Sequence, residues 1–334
     1  MIAPADMTAC RAAIRTGSLS FHAASRVLPA RVRDPALALY AFCRVADDEV
    51  DEGTDKAGAV LRLRDRLELV YQGRPRDGYA DRAFAAVVEE FEMPRALPEA
   101  LLEGLAWDAM GRRYETLSGV LDYSARVAAA VGAMMCVLMR VREADALARA
   151  CDLGLAMQLT NISRDVGEDA RAGRVFLPLD WLRDEGVAVE RFLAEPAACG
   201  GVRRVTARLL CEADRLYARA ESGVAALPLA CRPGIFAARH IYAGIGGQVA
   251  RAGFDSVSYR ARTGKGQKLG WLMLAGLRAV ASPLLPRAAV LHARPATEVA
   301  FLVEAAARKG AARGRSDALF EVLAQLEARA RGVA

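Results

Sequence analysis

The sequence predicts an all-α fold, and three observations carry that prediction. Alanine, leucine and arginine dominate a chain of 334 residues, and all three favour helix. Apolar residues recur at helical spacing almost throughout. No stretch sustains the period-two alternation of β-branched residues that marks a half-buried strand.

Taken in order, the patterns predict helices over roughly 7–15, 19–28, 35–52, 57–72, 79–92, 97–115, 119–140, 143–168, 201–226, 232–252 and from 268 onward. Pro29, Pro35, Gly53, Gly73, Pro75, Pro94, Gly119, Gly173, Pro178, Pro228 and Pro233 punctuate them. At 54% hydrophobic and 26% charged residues, the chain can bury a large core, which excludes a disordered or low-complexity protein. No linker or shift in composition divides it. A single helical domain over 1–334 is expected, with a basic C-terminal portion from about 254.

The net charge of +6 is modest and spread along the chain. It suits an arginine-rich solvated surface, an anionic substrate or an anionic membrane surface. No basic block is interleaved with aromatics, so nucleic acid is not expected as a partner. Seven cysteines without a C-x-x-C pair, and three scattered histidines, predict buried thiols in a reducing compartment and no zinc or disulfide framework. The first fifteen residues carry no long apolar run, which predicts a cytoplasmic place. The uncharged run 127–139 reaches roughly 20 Å as a helix, short of a bilayer core of about 30 Å. Leu269–Leu277 is cut by Arg278 and two prolines. It reads as a packed helix or an interfacial, peripheral membrane contact.

Two glycine-rich segments are phosphate-binding decoys. Gly244-Ile245-Gly246-Gly247 lacks the third glycine of a dinucleotide loop, and Thr263-Gly264-Lys265-Gly266 lacks the Ser/Thr and the upstream glycine of a P-loop.

The chemistry concentrates in two segments. In ALALYAFCRVADDEVDEG (36–53), an apolar helix pattern runs into Asp47, Asp48, Glu49, Asp51 and Glu52. Asp47 and Asp51 share one face at i,i+4. Acids crowded at a helix C-terminus repel one another and oppose the dipole. Where the run continues an apolar face bearing Tyr40 and Cys43, inward carboxylates require cations, and clustered oxygens suit Mg²⁺ or Mn²⁺. In DLGLAMQLTNISRDVGEDARAGRVFLP (152–178), Asn161, Asp165 and Asp169 step by four along another apolar helix, with Gln158 two turns before Asp165. One D-x-x-x-D is weak. Two on separate apolar helices, each beside an arginine (Arg44, Arg164), are a far sharper signal. Mg²⁺ is commonly completed by substrate phosphates. A diphosphate between the clusters and a hydrocarbon tail along the apolar helices together describe a prenyl diphosphate.

YAFCRVADDEVDEG and QLTNISRDVGEDARAGRVFLP resemble the two signature regions of the squalene/phytoene synthase family, and the likeness extends from about Ser18 to Leu269. The resemblance implies an isoprenoid synthase-type helical bundle around a central cavity. It implies Mg²⁺-dependent head-to-head condensation of two prenyl diphosphates through a cyclopropyl intermediate. Asp47 and Asp51, with Asp48 between them, match the first metal motif, and Asp165 and Asp169, with Asn161, match the second. Arg44, Gln158 and Arg164 match positions around diphosphate and metal. Ser18 and Phe21 match the N-terminal substrate segment, where Gly17 replaces a histidine common in the family. Tyr40, Tyr123 and Tyr242 match tyrosines of the site, Tyr242 among the catalytic set, and Arg260 matches a basic residue after a core helix.

The likeness favours the branch that joins two geranylgeranyl diphosphates through prephytoene diphosphate to phytoene, the committed step to carotenoids, with no NADPH. Squalene or dehydrosqualene formation from farnesyl diphosphate is the alternative within the family, and a non-catalytic helical assembly factor the alternative outside catalysis. Head-to-tail prenyltransferases share the first motif but carry a second D-D-x-x-D, where this chain has Asp165-Val-Gly-Glu-Asp169. Terpene cyclases share the spacing of Asn161, Asp165 and Asp169 but not the Q-L-T-N-I-x-R-D-V context.

Overall fold

A computed structural model describes residues 2–17, 24–51, 56–284 and 288–308. Among them the regular structure is helical. Helix α1 (Pro4–Gly17) is followed by α2 (Ala30–Asp51), α3 (Lys56–Tyr71), α4 (Tyr79–Phe91) and α5 (Ala96–Ala109). Helices α6 (Leu117–Ser124) and α7 (Ala130–Leu138) are joined without a break by a π-helical turn, Ala125–Ala129. Then come α8 (Ala144–Arg171), the short α9 (Leu179–Asp184) and α10 (Val189–Ala194), α11 (Gly200–Val224), α12 (Arg232–Arg251), α13 (Lys265–Ala281) and α14 (Ala300–Ala306).

Helix α8 is the axis of the bundle. Leu147, Cys151, Leu155, Leu159 and Ile162 are buried along it at helical spacing. It packs against α11, α12, α7 and the π turn. Close approach to the π turn depends on Gly154, where a Cβ would lie 2.6 Å from the Ala129 Cα. Helices α1 and α4 pack on α2, and α3 on α5. Arg66 and Asp81, both buried, tie α3 to α4 through a paired contact at 2.8 and 3.1 Å. A buried charge persists in such a place only when it is paired.

The continuous helix Leu117–Leu138 is long and apolar enough to cross a bilayer by length and composition, but 61% of its apolar window is buried inside the bundle. It is a wall of the core. The small helices α9 and α10 were not expected from the sequence, being only six residues each. Residues 19–23 of the predicted helix over 19–28 lie outside the described residues, and the described remainder passes from helix at 24–25 into a turn. The cysteines form no disulfide, but Cys199 and Cys211 are exposed, not buried, because they lie on outward faces at and after the start of α11.

Candidate active site

Helices α2, α7, α8, α11 and α12 enclose a cavity of about 320 Å³. Its wall is almost wholly apolar: Leu39, Cys43, Val131, Met135, Leu153, Met157, Val224 and Ile235 contribute. Glycines at Gly132, Gly154, Gly223 and Gly234 hold the helices close while leaving the middle open. A water-excluding pocket of this kind holds a hydrocarbon without offering it a nucleophile.

The residues predicted for the site fall into groups. Tyr40, Gln158, Asn161 and Tyr242 line the cavity together. Asp165 and Asp169 follow Asn161 at successive turns of α8, which carries the chain out of the apolar cavity into a polar mouth. There Arg164 and Arg260 converge on Asp165. Arg164 Nε donates to Oδ1 at 2.7 Å, and Arg260 donates through Nε and Nη2 at 2.8 and 3.2 Å. Arg260 also meets Glu168 at 3.1 Å. Burial alone would raise the Asp165 carboxyl, but the two guanidiniums outweigh it and hold it below the ordinary range. Among the described residues Asp169 meets Arg174 at 3.2 Å. Burial pushes it up to about 6, Arg174 opposing and the nearby Asp165 and Glu168 adding to the rise.

Arg260 reaches Asp165 because of a glycine whose reason was not legible in the sequence. At Gly167, between the two aspartates, a Cβ would stand 2.5 Å from the Val257 carbonyl oxygen and 3.0 Å from that of Ser256. The bare backbone lets the segment 255–260 lie flat on α8, and Gly167 N–H donates to Ser256 O at 2.9 Å.

Other assignments sit apart from the cavity. Tyr123 is buried outside the lining. Its ring packs against Tyr114 and Phe176 at 5.3 and 5.1 Å, and its hydroxyl donates to Asp108 at 2.8 Å. It is a core tyrosine behind the mouth, the bland alternative for any lone tyrosine. Arg44 pairs with Asp48 one turn on along α2. The backbone of α2 carries Asp47 and Asp51, whose side chains lie outside the described part, as do Ser18 and Phe21 entirely. Beyond Tyr123 on the same continuous helix, Ala128 lines the cavity while Ala129 and Ala133 are packed in the core.

The donor set suits a hard divalent cation. Asn161 Oδ1 is buried without a hydrogen-bond partner among the described residues, and such an orphan acceptor is costly unless something binds it. Asp169 lies in an acidic cluster that a cation would relieve. Asn161, Asp165 and Asp169 would hold Mg²⁺ or Mn²⁺ from this side. No group of three His, Cys, Asp or Glu among the described residues forms a metal cluster by itself.

An apolar cavity opening onto carboxylates, an amide oxygen and arginines on one helix end defines an all-α isoprenoid synthase-type site. Comparison with known proteins narrows this. The model of squalene/phytoene synthases matches residues 14–267, and the chain belongs to that family. It is 69% identical to a phytoene synthase of Cereibacter sphaeroides over 100% of this chain and 97% of the relative. It is 66% identical to a phytoene synthase of Rhodobacter capsulatus over 100% and 99%. A crystal structure of a dehydrosqualene synthase in complex with ligand superposes with a TM-score of 0.76 at 30% identity, covering 83% of this chain and 97% of that one. The squalene synthase HpnC from Alicyclobacillus acidocaldarius shares the fold, with a TM-score of 0.69 at 23% identity, over 75% and 95%.

Proposed function

We propose that this chain condenses two geranylgeranyl diphosphates head to head, through prephytoene diphosphate, to phytoene, with Mg²⁺ or Mn²⁺ and without NADPH. The observation that carries the reading is the continuity of the apolar cavity with the Asn161–Asp165–Asp169 face of α8. One helix thereby addresses both the tail and the diphosphate of a single substrate. The full-length phytoene synthase relatives support the product.

The divalent cation, when bound, neutralises the charge of the departing diphosphate. The protein's own groups do the rest. Arg164 and Arg260 bring fixed positive charge to the mouth and need no reorganisation as charge develops there. The lining around Leu153, Met157 and Val131 excludes water from an allylic cation. Tyr40 and Tyr242 place hydroxyl-bearing rings where tail meets mouth. Both aspartate motifs are complete in the sequence, which favours catalysis over a role as an assembly factor.

The test is direct. Purified protein is supplied with Mg²⁺ and labelled C20 or C15 diphosphate, with and without NADPH, and the products are identified by mass. Phytoene from the C20 substrate without NADPH is the expected result. A product formed only with NADPH, or only from C15, moves the chain to the squalene or dehydrosqualene branch. Full turnover in verified metal-free buffer removes the mechanism.

The enzyme so read is cytoplasmic and touches a membrane peripherally through α13. Its outer face exposes Leu269, Met273, Leu277 and Val280, and Leu284 continues it. The helix contains no acidic residue, and Lys265 and Lys268 stand at its start, which complements an anionic lipid surface. Sedimentation with anionic vesicles should fall sharply in Leu269→Gln/Met273→Gln/Leu277→Gln. Equal sedimentation of this variant and the parent would discard the surface.

A further inference from the structure

Near one end, a turn short of Ala146, the cavity's apolar lining includes an arginine. Arg149 lines the cavity near the start of α8 and is 1% exposed. Its Nε lies 2.8 Å from Asp152 Oδ2, and Asp152 is itself fully buried. Arg219 of α11 meets the same oxygen at 3.1 Å. The cluster also anchors backbone beneath it: Arg149 Nη1 donates to the Val290 carbonyl, and Arg219 Nη2 to the Arg294 carbonyl at 2.9 Å. The turn Ala289–His292 is thereby tied across this end of the bundle. Gly223 makes room for the arginine, since a Cβ there would stand 2.2 Å from the Arg149 Cβ. Arg149 Nη2 and Asp152 Oδ1 are buried without a hydrogen-bond partner among the described residues.

A buried ion cluster is a costly way to fill a gap, because apolar residues of similar volume usually serve as well or better. Its position makes it a ruler. Arg149 precedes Asp165 by sixteen residues on the same helix, about 24 Å along the axis at 1.5 Å per residue. A geranylgeranyl chain has sixteen main-chain carbons and extends roughly 20 Å at somewhat over 1 Å of advance per bond. With its diphosphate at Asp165, the tail end comes within about 4 Å of the level of Arg149. By the same measure a farnesyl chain stops about 9 Å short, and a C25 chain overruns by about 1 Å.

We propose that Arg149, held by Asp152 and Arg219, is the floor of the tail tunnel and the residue that sets the longest prenyl tail accepted at about twenty carbons. The inference rests on the prenyl diphosphate reading above. A longer tail would have to part Arg149 from Asp152 and leave both charges among hydrocarbon, which is discrimination by repulsion of the wrong ligand.

Two measurements test it. In the unaltered protein, binding of saturated alkyl diphosphates in Mg²⁺ is followed by calorimetry, which needs no turnover. Affinity should rise with chain length to about sixteen carbons and fall beyond, whereas a rise continuing through about twenty-four carbons overturns the floor. In Arg149→Leu/Asp152→Asn, which removes both charges together, the C25:C20 ratio of kcat/KM should rise at least tenfold. Arg149→Lys, which keeps the charge, should stay near the parent ratio. An unchanged ratio in the folded double variant overturns the proposal, and should that variant not fold, the alkyl series decides. Failure of the function itself reads differently: no alkyl diphosphate binds and no C20 substrate turns over.

Discussion

Arg260 and Asp165 are ninety-five residues apart in sequence and 2.8 Å apart in space. Arg164 meets the same carboxylate, so it is shared between two guanidiniums on different segments. A cation or a diphosphate entering the mouth must share these partners or displace them. Arg260 is therefore poised to pass from carboxylate to phosphate oxygens without moving far, a task for which the planar fork is better suited than an ammonium.

Arg260→Ala should accordingly lower kcat/KM at least tenfold while the protein stays folded. Arg260→Lys should recover only part of it, because a point charge cannot hold two oxygens at once. Steady-state kinetics with varied diphosphate substrate decide this. A lysine variant equal to the parent would mean that charge alone matters there.

The two aspartates of α8 should separate in stability, whereas replacing either should lower turnover. Asp165 is held by two arginines, so Asp165→Asn releases favourable pairs and should lower the melting temperature of the metal-free protein. Asp169 is partly buried beside Arg174 and two acidic neighbours, so Asp169→Asn removes repulsion and should leave the melting temperature unchanged or raise it. Thermal melts in chelator, with activity measured in Mg²⁺, test the pair. The same sign for both would show that the local charges do not govern this helix end.

How much of this was legible in the sequence follows from what each residue depends on. The long helices were readable because their periodicity is local, and α8 could be read as an apolar helix running into Asn161, Asp165 and Asp169. The cavity's glycines were not readable as such. Gly154 and Gly167 acquire meaning only from the backbone of Ala129 and Val257 lying against them, contacts between segments distant in sequence. Tyr123 looked like a site tyrosine, yet Asp108 and Phe176, which claim it, lie on other elements. Ala128, Ala129 and Ala133 are identical in chemistry, and of the three only Ala128 lines the cavity. Arg149 carried no signal at all, because an arginine amid alanine and leucine reads as a solvated helix face until its burial is seen.

Acid should weaken the fold through His240. The ring is buried on α12 and packs beside Phe236, with Nδ1 3.2 Å from Arg239 Nη1. Burial, then Arg239 and Arg278 of α13, lower it to about 4, against the opposing charge of Glu221 on α11. The folded state keeps this ring neutral while the unfolded chain protonates it near 6.5, so the unfolded state binds more protons between those values. Stability is full above about pH 6.5 and declines as pH falls towards 4. Denaturant unfolding from pH 7.5 to 4.5 should show a shallower decline for His240→Gln than for the parent, and parallel curves would remove His240 from the account.

Ser25 is the residue at which tail length should be adjustable from the wall. It is 2% exposed yet lines the cavity beside Leu28 and Gly234. A phenylalanine there fills space inside a cavity of about 320 Å³. Overpacking costs about 1–3 kcal/mol, and it should fall more heavily on the substrate that uses the filled depth. Ser25→Phe is expected to lower the C20:C15 ratio of kcat/KM by roughly 5- to 150-fold, the same cost expressed as a rate ratio. Ala129→Phe is the contrasting control. Its methyl is packed in the core, at the crossing where Gly154 meets the π turn. The added ring there has no cavity to enter and should unfold the bundle before it alters specificity. A Ser25→Phe protein that melts like the parent and keeps its C20:C15 ratio would place this serine outside the path of the tail, whatever its neighbours line.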